Sequence, residues 1–134
     1  MEDFVTFELA LKFREKGFRE ECIAYYHTDG ELLYNRDQYR GGNYKSLLRS
    51  YNSLPKNPIG CEQIDAPTIS QVLKWLREEK KIYLELVIVV DAEYMCDIYK
   101  IDARPIECLG STEYSKTYEA AALAGIEYVL DKLI

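Results

Sequence analysis

The 134-residue sequence lacks the features that mark several classes of protein. It has one histidine, and spacings of 39, 35 and 12 residues separate its four cysteines, so no Cys-x-x-Cys pair is present. No apolar run approaches the roughly 20 residues that span a bilayer. Acidic residues stand at the N-terminus, where a secretory signal would carry basic ones. We therefore expect a cytoplasmic protein with reduced thiols and no membrane contact.

The residues that are present are enough for a packed core. Hydrophobic residues make up 48% of the chain, which predicts one folded domain over residues 1–134. The net charge is −6, which argues against a uniformly basic nucleic-acid-binding protein. Tyrosine is overrepresented, with 12 residues against 4 phenylalanines.

The N-terminal third of the chain predicts a helix followed by a hairpin. The helix is expected over residues 7–16, with Thr6 as its N-cap and Gly17 at its end. Residues 21–34 alternate as two strands around an Asp29-Gly30 turn.

Residues 35–66 form an irregular segment that is rich in basic residues, tyrosine and asparagine. It contains Gly41-Gly42, Pro55 and Pro58, all of which favour turns. A short helical piece is expected over residues 44–51, and a short edge strand over residues 61–64.

The second half of the chain has the clearest periodicity. Ile69, Val72, Leu73 and Leu76 recur at helical spacing and predict a helix that Lys80 and Lys81 close. Residues 82–90 predict a strand whose even-numbered residues, all apolar, face the core. Its other face becomes apolar towards the end of the strand. We therefore predict a dimer surface made of Tyr83, Val87 and Val89.

The remaining residues complete an α+β prediction. A return strand is expected over residues 94–102, a loop over 110–115 and a last helix over about 118–133. The predicted order is α-β-β-loop-α-β-β-α. We expect one antiparallel sheet of four to five strands with the helices packed on one face.

Three stretches of the chain resemble a known group of proteins. They are Phe4-Val5-Thr6-Phe7-Glu8 with residues 11–18, Ala66-Pro67-Thr68 with residues 72–78, and residues 117–121 with Ala124-Gly125-Ile126. The sequence resembles short, uncharacterised proteins of Bacteroidales genomes and of their phages or mobile elements. The resemblance excludes roughly residues 36–60. It implies a bacterial or phage setting and one compact domain, and no activity or cofactor.

Charge is segregated along the chain. Residues 36–56 hold five basic residues against one acidic residue, a net charge of +4, so the rest of the chain carries −10. Basic and aromatic side chains together suit either protein contact or single-stranded nucleic acid, and a solvated loop without a role is the third interpretation. The candidate contact residues are Arg36, Tyr39, Arg40, Tyr44, Lys45, Arg49 and Tyr51.

No catalytic residue, cofactor site or metal site is predicted. His27 is the only histidine and lies beside the predicted turn. Acidic residues at the second hairpin, Asp91, Glu93, Asp97 and Asp102, are the one candidate for an enzymatic or metal site, and a solvated hairpin explains them equally well.

These observations favour a small non-enzymatic protein-interaction module, with a homodimer or an unknown protein as partner. A nucleic-acid-associated accessory protein that uses residues 36–56 is the alternative. An enzyme with an acidic site on the second hairpin comes third.

Overall fold

A computed structural model of the protein describes residues 3–38, 44–46, 48–53 and 63–134, and the side chains of residues 3–35, 48–52 and 63–134. These residues form an α+β structure with helices and antiparallel strands, as the sequence predicts. The chain divides into two compact units. One comprises residues 4–68, and the other comprises residues 69–134 together with Asp3.

The N-terminal unit begins with helix α1, Phe7–Glu15. The Thr6 hydroxyl accepts a hydrogen bond from Leu9 N at 3.3 Å, which caps the first turn. Gly17 ends the helix with a φ of +92°, a conformation that glycine adopts without steric cost. Phe18 then folds back, and its ring meets Phe13 edge-on at 5.8 Å. The predicted start and end of this helix are therefore confirmed to within one residue.

Strands β1 (Ala24–His27) and β2 (Leu32–Tyr34) form the predicted hairpin around Gly30. Strands β3 (Arg36–Gln38) and β4 (Tyr44–Ser46) form a second, short hairpin. A 3-10 turn at Tyr51–Ser53 precedes strand β5 (Gln63–Asp65), which pairs with the free side of β1. The order of the three-stranded sheet is β2-β1-β5.

The helical piece expected over residues 44–51 is wrong. Tyr44–Ser46 is a strand, and among the described residues of this stretch helical backbone begins only with the 3-10 turn at Tyr51. Pairing with β3 satisfies the backbone groups that a helix would have satisfied internally. The expected edge strand over residues 61–64 is displaced to Gln63–Asp65, and Cys61 lies outside the described residues.

Three buried polar side chains hold the irregular part of the N-terminal unit. They are Asn35, Asn52 and Asp65. Asp65 is fully buried, and its two carboxylate oxygens accept hydrogen bonds from Tyr51 N at 2.9 Å and Asn52 N at 3.0 Å. The Asn52 amide donates to Phe18 O at 3.1 Å. This network ties the 3-10 turn both to strand β5 and to the segment after α1.

The C-terminal unit consists of α2 (Ile69–Glu79), β6 (Ile82–Val89), β7 (Glu93–Lys100), β8 (Glu107–Ser111) and α3 (Tyr118–Lys132). The strands form an antiparallel sheet in the order β6-β7-β8. Thr117 caps α3 by accepting a hydrogen bond from Ala120 N at 3.0 Å. Helix α3 contacts both β6 and β7, and α2 contacts β6 and α3.

The expected single sheet of four to five strands is not confirmed, because the described strands form two three-stranded sheets and one separate hairpin. Part of the predicted loop over residues 110–115 is strand β8. In α2 the buried residues are Ile69, Val72, Trp75 and Leu76, whereas Leu73 is only half-buried. Trp75 takes the place of the predicted Leu73 on the buried face, where it follows Val72 by three residues and so lies on the same side of the helix.

Candidate interaction surface

Helices α2 and α3 pack on one face of the C-terminal sheet, and the core of the unit lies between that face and the helices. Ile82 and Leu84 of β6 and Cys96 and Ile98 of β7 are buried. Gly125 of α3 lies against the Leu84 and Cys96 side chains so closely that a Cβ there would come within 2.9 Å of Leu84 Cδ2. This close approach fixes the helix over the first half of β6.

The second half of β6 extends past this core. Ile88 is 71% exposed and Val90, just after the strand, is 84% exposed. Both were expected to face the core, and that expectation is wrong. Ile88 pairs with Tyr94 of β7, and the Tyr94 ring contacts Tyr118 in the first turn of α3. The helix therefore starts beside this end of the hairpin and covers the other half of β6, where Gly125 contacts Leu84. An apolar surface is therefore left at the end of the β6–β7 hairpin, and Tyr114 and Tyr118 add 64% and 49% exposed rings.

The backbone of β6 also has an open side. Tyr94 of β7 exchanges hydrogen bonds with Ser115 at 2.8 and 2.7 Å, and Cys96 O accepts from Thr112 N at 2.9 Å. In an antiparallel ladder the N–H and C=O groups of one residue point to the same side, and the side alternates along the strand. The even-numbered residues of β7 therefore face β8, and its odd-numbered residues face β6.

Because the register of the β6–β7 ladder is continuous, the same alternation of backbone groups applies to β6. Val89, Val87, Glu85 and Tyr83 lie opposite the odd-numbered residues Glu93, Met95, Asp97 and Tyr99 and use their backbone groups in the ladder. The backbone N–H and C=O groups of Ile82, Leu84, Leu86 and Ile88 consequently point to the open edge. Within the described part of the chain, no other strand pairs with that edge.

The two edges of this sheet differ in how well they are protected. Strand β6 is eight residues long, continuous in register and apolar except for Glu85 and the Tyr83 hydroxyl. Strand β8 is five residues long, and its pairing with β7 shifts register between Ile98 and Tyr99. Natural edge strands are usually short, bulged or charged, because an open edge can pair with another chain. Strand β8 has such protection, and β6 has almost none.

The outer face of the sheet carries the residues predicted as a dimer surface. Tyr83 is 41% exposed, and Val87 and Val89 are half-buried. Glu85 is exposed beside them. Partial desolvation, together with the Asp97 and Glu85 carboxylates, raises the pKa of Tyr99 on the neighbouring strand. All three predicted residues lie on β6, the strand with the open edge.

The candidate contact residues of the basic segment are only partly described. The backbones of Arg36, Tyr44 and Lys45 lie in the β3–β4 hairpin, and Tyr39 and Arg40 lie outside the described residues. Arg49 is exposed, and its backbone exchanges hydrogen bonds with Cys22. Tyr51 packs against Tyr25, with ring centroids 5.0 Å apart. The structure thus gives Tyr51 a packing contact within the N-terminal unit.

The residues considered for chemistry lie apart from one another. His27 ends β1, with its Nδ1 atom 3.5 Å from Asp29 Oδ1 and no hydrogen bond between the two. Glu93 accepts a hydrogen bond from Lys116 at 2.8 Å, and this contact raises the pKa of Lys116. Asp97 accepts one from Ser111, and Asp102 lies 3.2 Å from Lys100. Within the described residues, no group of three or more acidic, histidine or cysteine side chains is placed to hold a metal ion.

The described cysteines are free thiols, as expected: Cys22 and Cys96 are buried and Cys108 is exposed. Burial raises the pKa of the Cys96 thiol to about 12, so this thiol is protonated at neutral pH. No helix among the described residues is both long and apolar enough to cross a membrane.

Comparison of the chain with protein-family models, with curated proteins and with solved structures finds no match. Only the geometry of the C-terminal unit therefore supports the interaction surface. Sequence reasoning found its outer face through the apolar pair Val87 and Val89. The open edge of β6 could not be predicted in this way, because residues 110–115 were expected to form a loop. Without β8, nothing indicates that β7 is the middle strand and β6 an edge strand.

Proposed function

We propose that the protein acts by protein contact and that its C-terminal sheet pairs with a second copy through the open edge of β6. The observation that carries the proposal is a row of backbone groups with which no described strand pairs, on an eight-residue, nearly uncharged strand. Pairing with another strand would satisfy these groups and cover the apolar side chains beside them.

The apolar end of the hairpin supports the same proposal. Ile88 and Val90 adjoin the open edge and expose most of their surface to water. Covering apolar area stabilises a complex by about 25 cal/mol per Å² before the entropic cost of association is subtracted. A partner strand along β6 would cover both residues. The same contact would therefore pair the open backbone groups and remove exposed apolar side chains from water.

Replacing Ile88 by lysine tests the proposal. Because Ile88 is 71% exposed, Ile88→Lys should leave the folded subunit intact while it places a charge in the contact. We expect the wild type to sediment as a dimer and the variant to dimerise about 100-fold more weakly, which corresponds to about 1.4 kcal/mol in each copy.

Ile106→Lys is the matched control. Ile106 is 61% exposed and precedes β8, away from the open edge, so its replacement should leave the dimer unchanged. A wild type that remains monomeric at high micromolar concentration would contradict the proposal, as would equal weakening by the two variants.

The nucleic-acid alternative stays a prediction. Its support is the net charge of +4 over residues 36–56 and the exposed position of Arg49. An enzymatic role has less support, because three of the four acidic side chains of the second hairpin, Glu93, Asp97 and Asp102, each contact a separate partner.

A further inference from the structure

The even-numbered residues from Ile82 to Val90 are all apolar, but they differ in burial on the two sides of Leu86. Ile82 and Leu84 on one side of Leu86 are buried, whereas Ile88 and Val90 on the other side are exposed. All five residues have even numbers, so those in the strand lie on one face of the sheet. One half of the apolar row is thus covered within its own subunit, and nothing in the described part of the chain covers the other half.

We infer that two copies pair antiparallel along β6 with the two-fold axis at Leu86, so that the exposed half of each row lies beside the buried half of the other. This inference rests on the proposed function and adds the register. Leu86 then faces its own equivalent, and Leu84 faces Ile88 of the second copy. The backbone groups of Leu84, Leu86 and Ile88 all gain partners, because these residues point to the open edge.

The outer face of the sheet agrees with this register. Tyr83 of one copy lies beside Val89 of the other, and Glu85 lies beside Val87. An aromatic residue opposite a β-branched residue is a favourable cross-strand pair. The half-exposed Tyr83 ring would cover Val89, and all three residues of the predicted dimer surface would take part.

Charge separates this register from the nearest alternative. If the axis passed through Glu85, the two Glu85 carboxylates would lie directly opposite each other, and like charges in that position destabilise a strand pair. With the axis at Leu86, each Glu85 lies beside Val87 of the second copy instead, so this register avoids the repulsion.

Cysteine pairs on the outer face measure the register directly. Tyr83 and Val89 of opposite copies would form a non-hydrogen-bonded pair, whose Cα atoms are about 4.5 Å apart, within the range of about 4.4–6.8 Å that a disulfide spans. Neighbours two residues out of register are about 7–8 Å apart and should not link. The parent chain carries Cys61→Ser and Cys108→Ser.

The experiment mixes the Tyr83→Cys and Val89→Cys chains under mild oxidation and measures covalent dimer on a non-reducing gel. We expect the mixture to cross-link and each variant alone to remain uncross-linked. The matched mixture of Tyr83→Cys with Val87→Cys reports an axis at Glu85, and Val87→Cys alone reports an axis at Val87.

The possible outcomes separate the two claims. Cross-linking confined to the first mixture supports the axis at Leu86. Dimers in sedimentation that cross-link through Val87→Cys, with or without Tyr83→Cys, overturn the register and leave the proposed function standing. Dimers that cross-link at none of these positions overturn the register, and the comparison of Ile88→Lys with Ile106→Lys then decides whether β6 is the contact. Monomers in sedimentation overturn self-association itself.

Discussion

The interiors of the two units of the protein differ in their content of polar side chains. Every buried polar side chain among the described residues lies in the N-terminal unit, as Asn35, Asn52 and Asp65. The C-terminal unit, residues 69–134, buries only apolar side chains, cysteine and glycine, packed between two helices and a regular sheet. The N-terminal unit, which also buries apolar side chains such as Phe13 and Phe18, thus adds side-chain hydrogen bonds to its apolar packing, and the C-terminal unit is held by packing.

The difference follows from how each segment satisfies its backbone. Helices and strands pair their own N–H and C=O groups, so their side chains are free to be apolar. The 3-10 turn at Tyr51–Ser53 leaves backbone donors without partners of that kind, and the Asp65 carboxylate accepts two of them. A substitution that removes an acceptor should therefore be costly in the N-terminal unit, and one that adds volume should be costly in the C-terminal unit.

The largest effect is expected for Asp65→Ala. The variant leaves the Tyr51 and Asn52 N–H groups without their acceptor, and each unpaired buried donor costs about 1–3 kcal/mol. We expect the free energy of unfolding to fall by about 3 kcal/mol, measured by urea denaturation.

Asp102→Ala is the control for this prediction. Asp102 makes an exposed ion pair with Lys100, and such pairs contribute about 0–1 kcal/mol. If the two variants lost the same stability, the hydrogen bonds of Asp65 would not be what holds the N-terminal unit.

A smaller loss is expected for Gly125→Ala in the C-terminal unit. The new Cβ would lie 2.5 Å from Cys96 Sγ and 2.9 Å from Leu84 Cδ2, so the helix or the sheet must shift. Overpacking of this kind costs about 1–3 kcal/mol. We expect a loss of about 2 kcal/mol in thermal or urea unfolding.

A second substitution tests the cause of that loss. Cys96→Ala removes the closest atom, so the double variant should be more stable than the sum of the two single changes predicts. Gly110→Ala is a matched glycine control whose Cβ would meet the outer end of the Tyr128 ring, which can rotate away more readily than the packed helix can move. Strict additivity at Gly125 and Cys96 would show that the close approach is not the source of the loss.

The regular elements could be predicted from the sequence, and the irregular ones could not. The two longer helices and strand β6 show apolar periodicity over many residues, and the structure contains each of them. Strand β8 has little alternation in Glu-Cys-Leu-Gly-Ser, and its burial is correspondingly weak. The Asp65 network joins residues 13 or more positions apart, a distance over which no local pattern acts.

The same limit applies to the interaction surface. Val87 and Val89 were visible as apolar residues on the outer face of a predicted strand. The exposure of Ile88 could not be predicted, because alternation assigns a face to a residue and gives no information on where the covering helix begins. The position at which α3 begins depends on the Thr117 cap and the Gly125 contact, which only the folded unit brings into place.

The smallest expected effect is a pH dependence of the free energy of unfolding, which should differ between a buried group of the N-terminal unit and one of the C-terminal unit. Burial raises the pKa of Asp65 above its ordinary 3.8, although the backbone hydrogen bonds and Arg19 act in the opposite direction. Between 3.8 and the raised pKa the folded state binds more protons than the unfolded state, so this group makes stability fall as pH rises through that interval. Cys96 contributes no slope there, because its thiol stays protonated in both states below pH 9.0.

We therefore expect the difference in unfolding free energy between the wild type and Asp65→Ala to shrink as pH rises across that interval and to level off above it. Urea denaturation of both proteins over a series of pH values measures this difference, and the subtraction cancels the slope from the other carboxylates. Cys96→Ala serves as the comparison from the C-terminal unit and should show a constant difference over the same range. A difference for Asp65→Ala that grows with pH would mean that the hydrogen bonds from Tyr51 and Asn52 outweigh burial, and that the carboxylate is more stable in the folded state than in water.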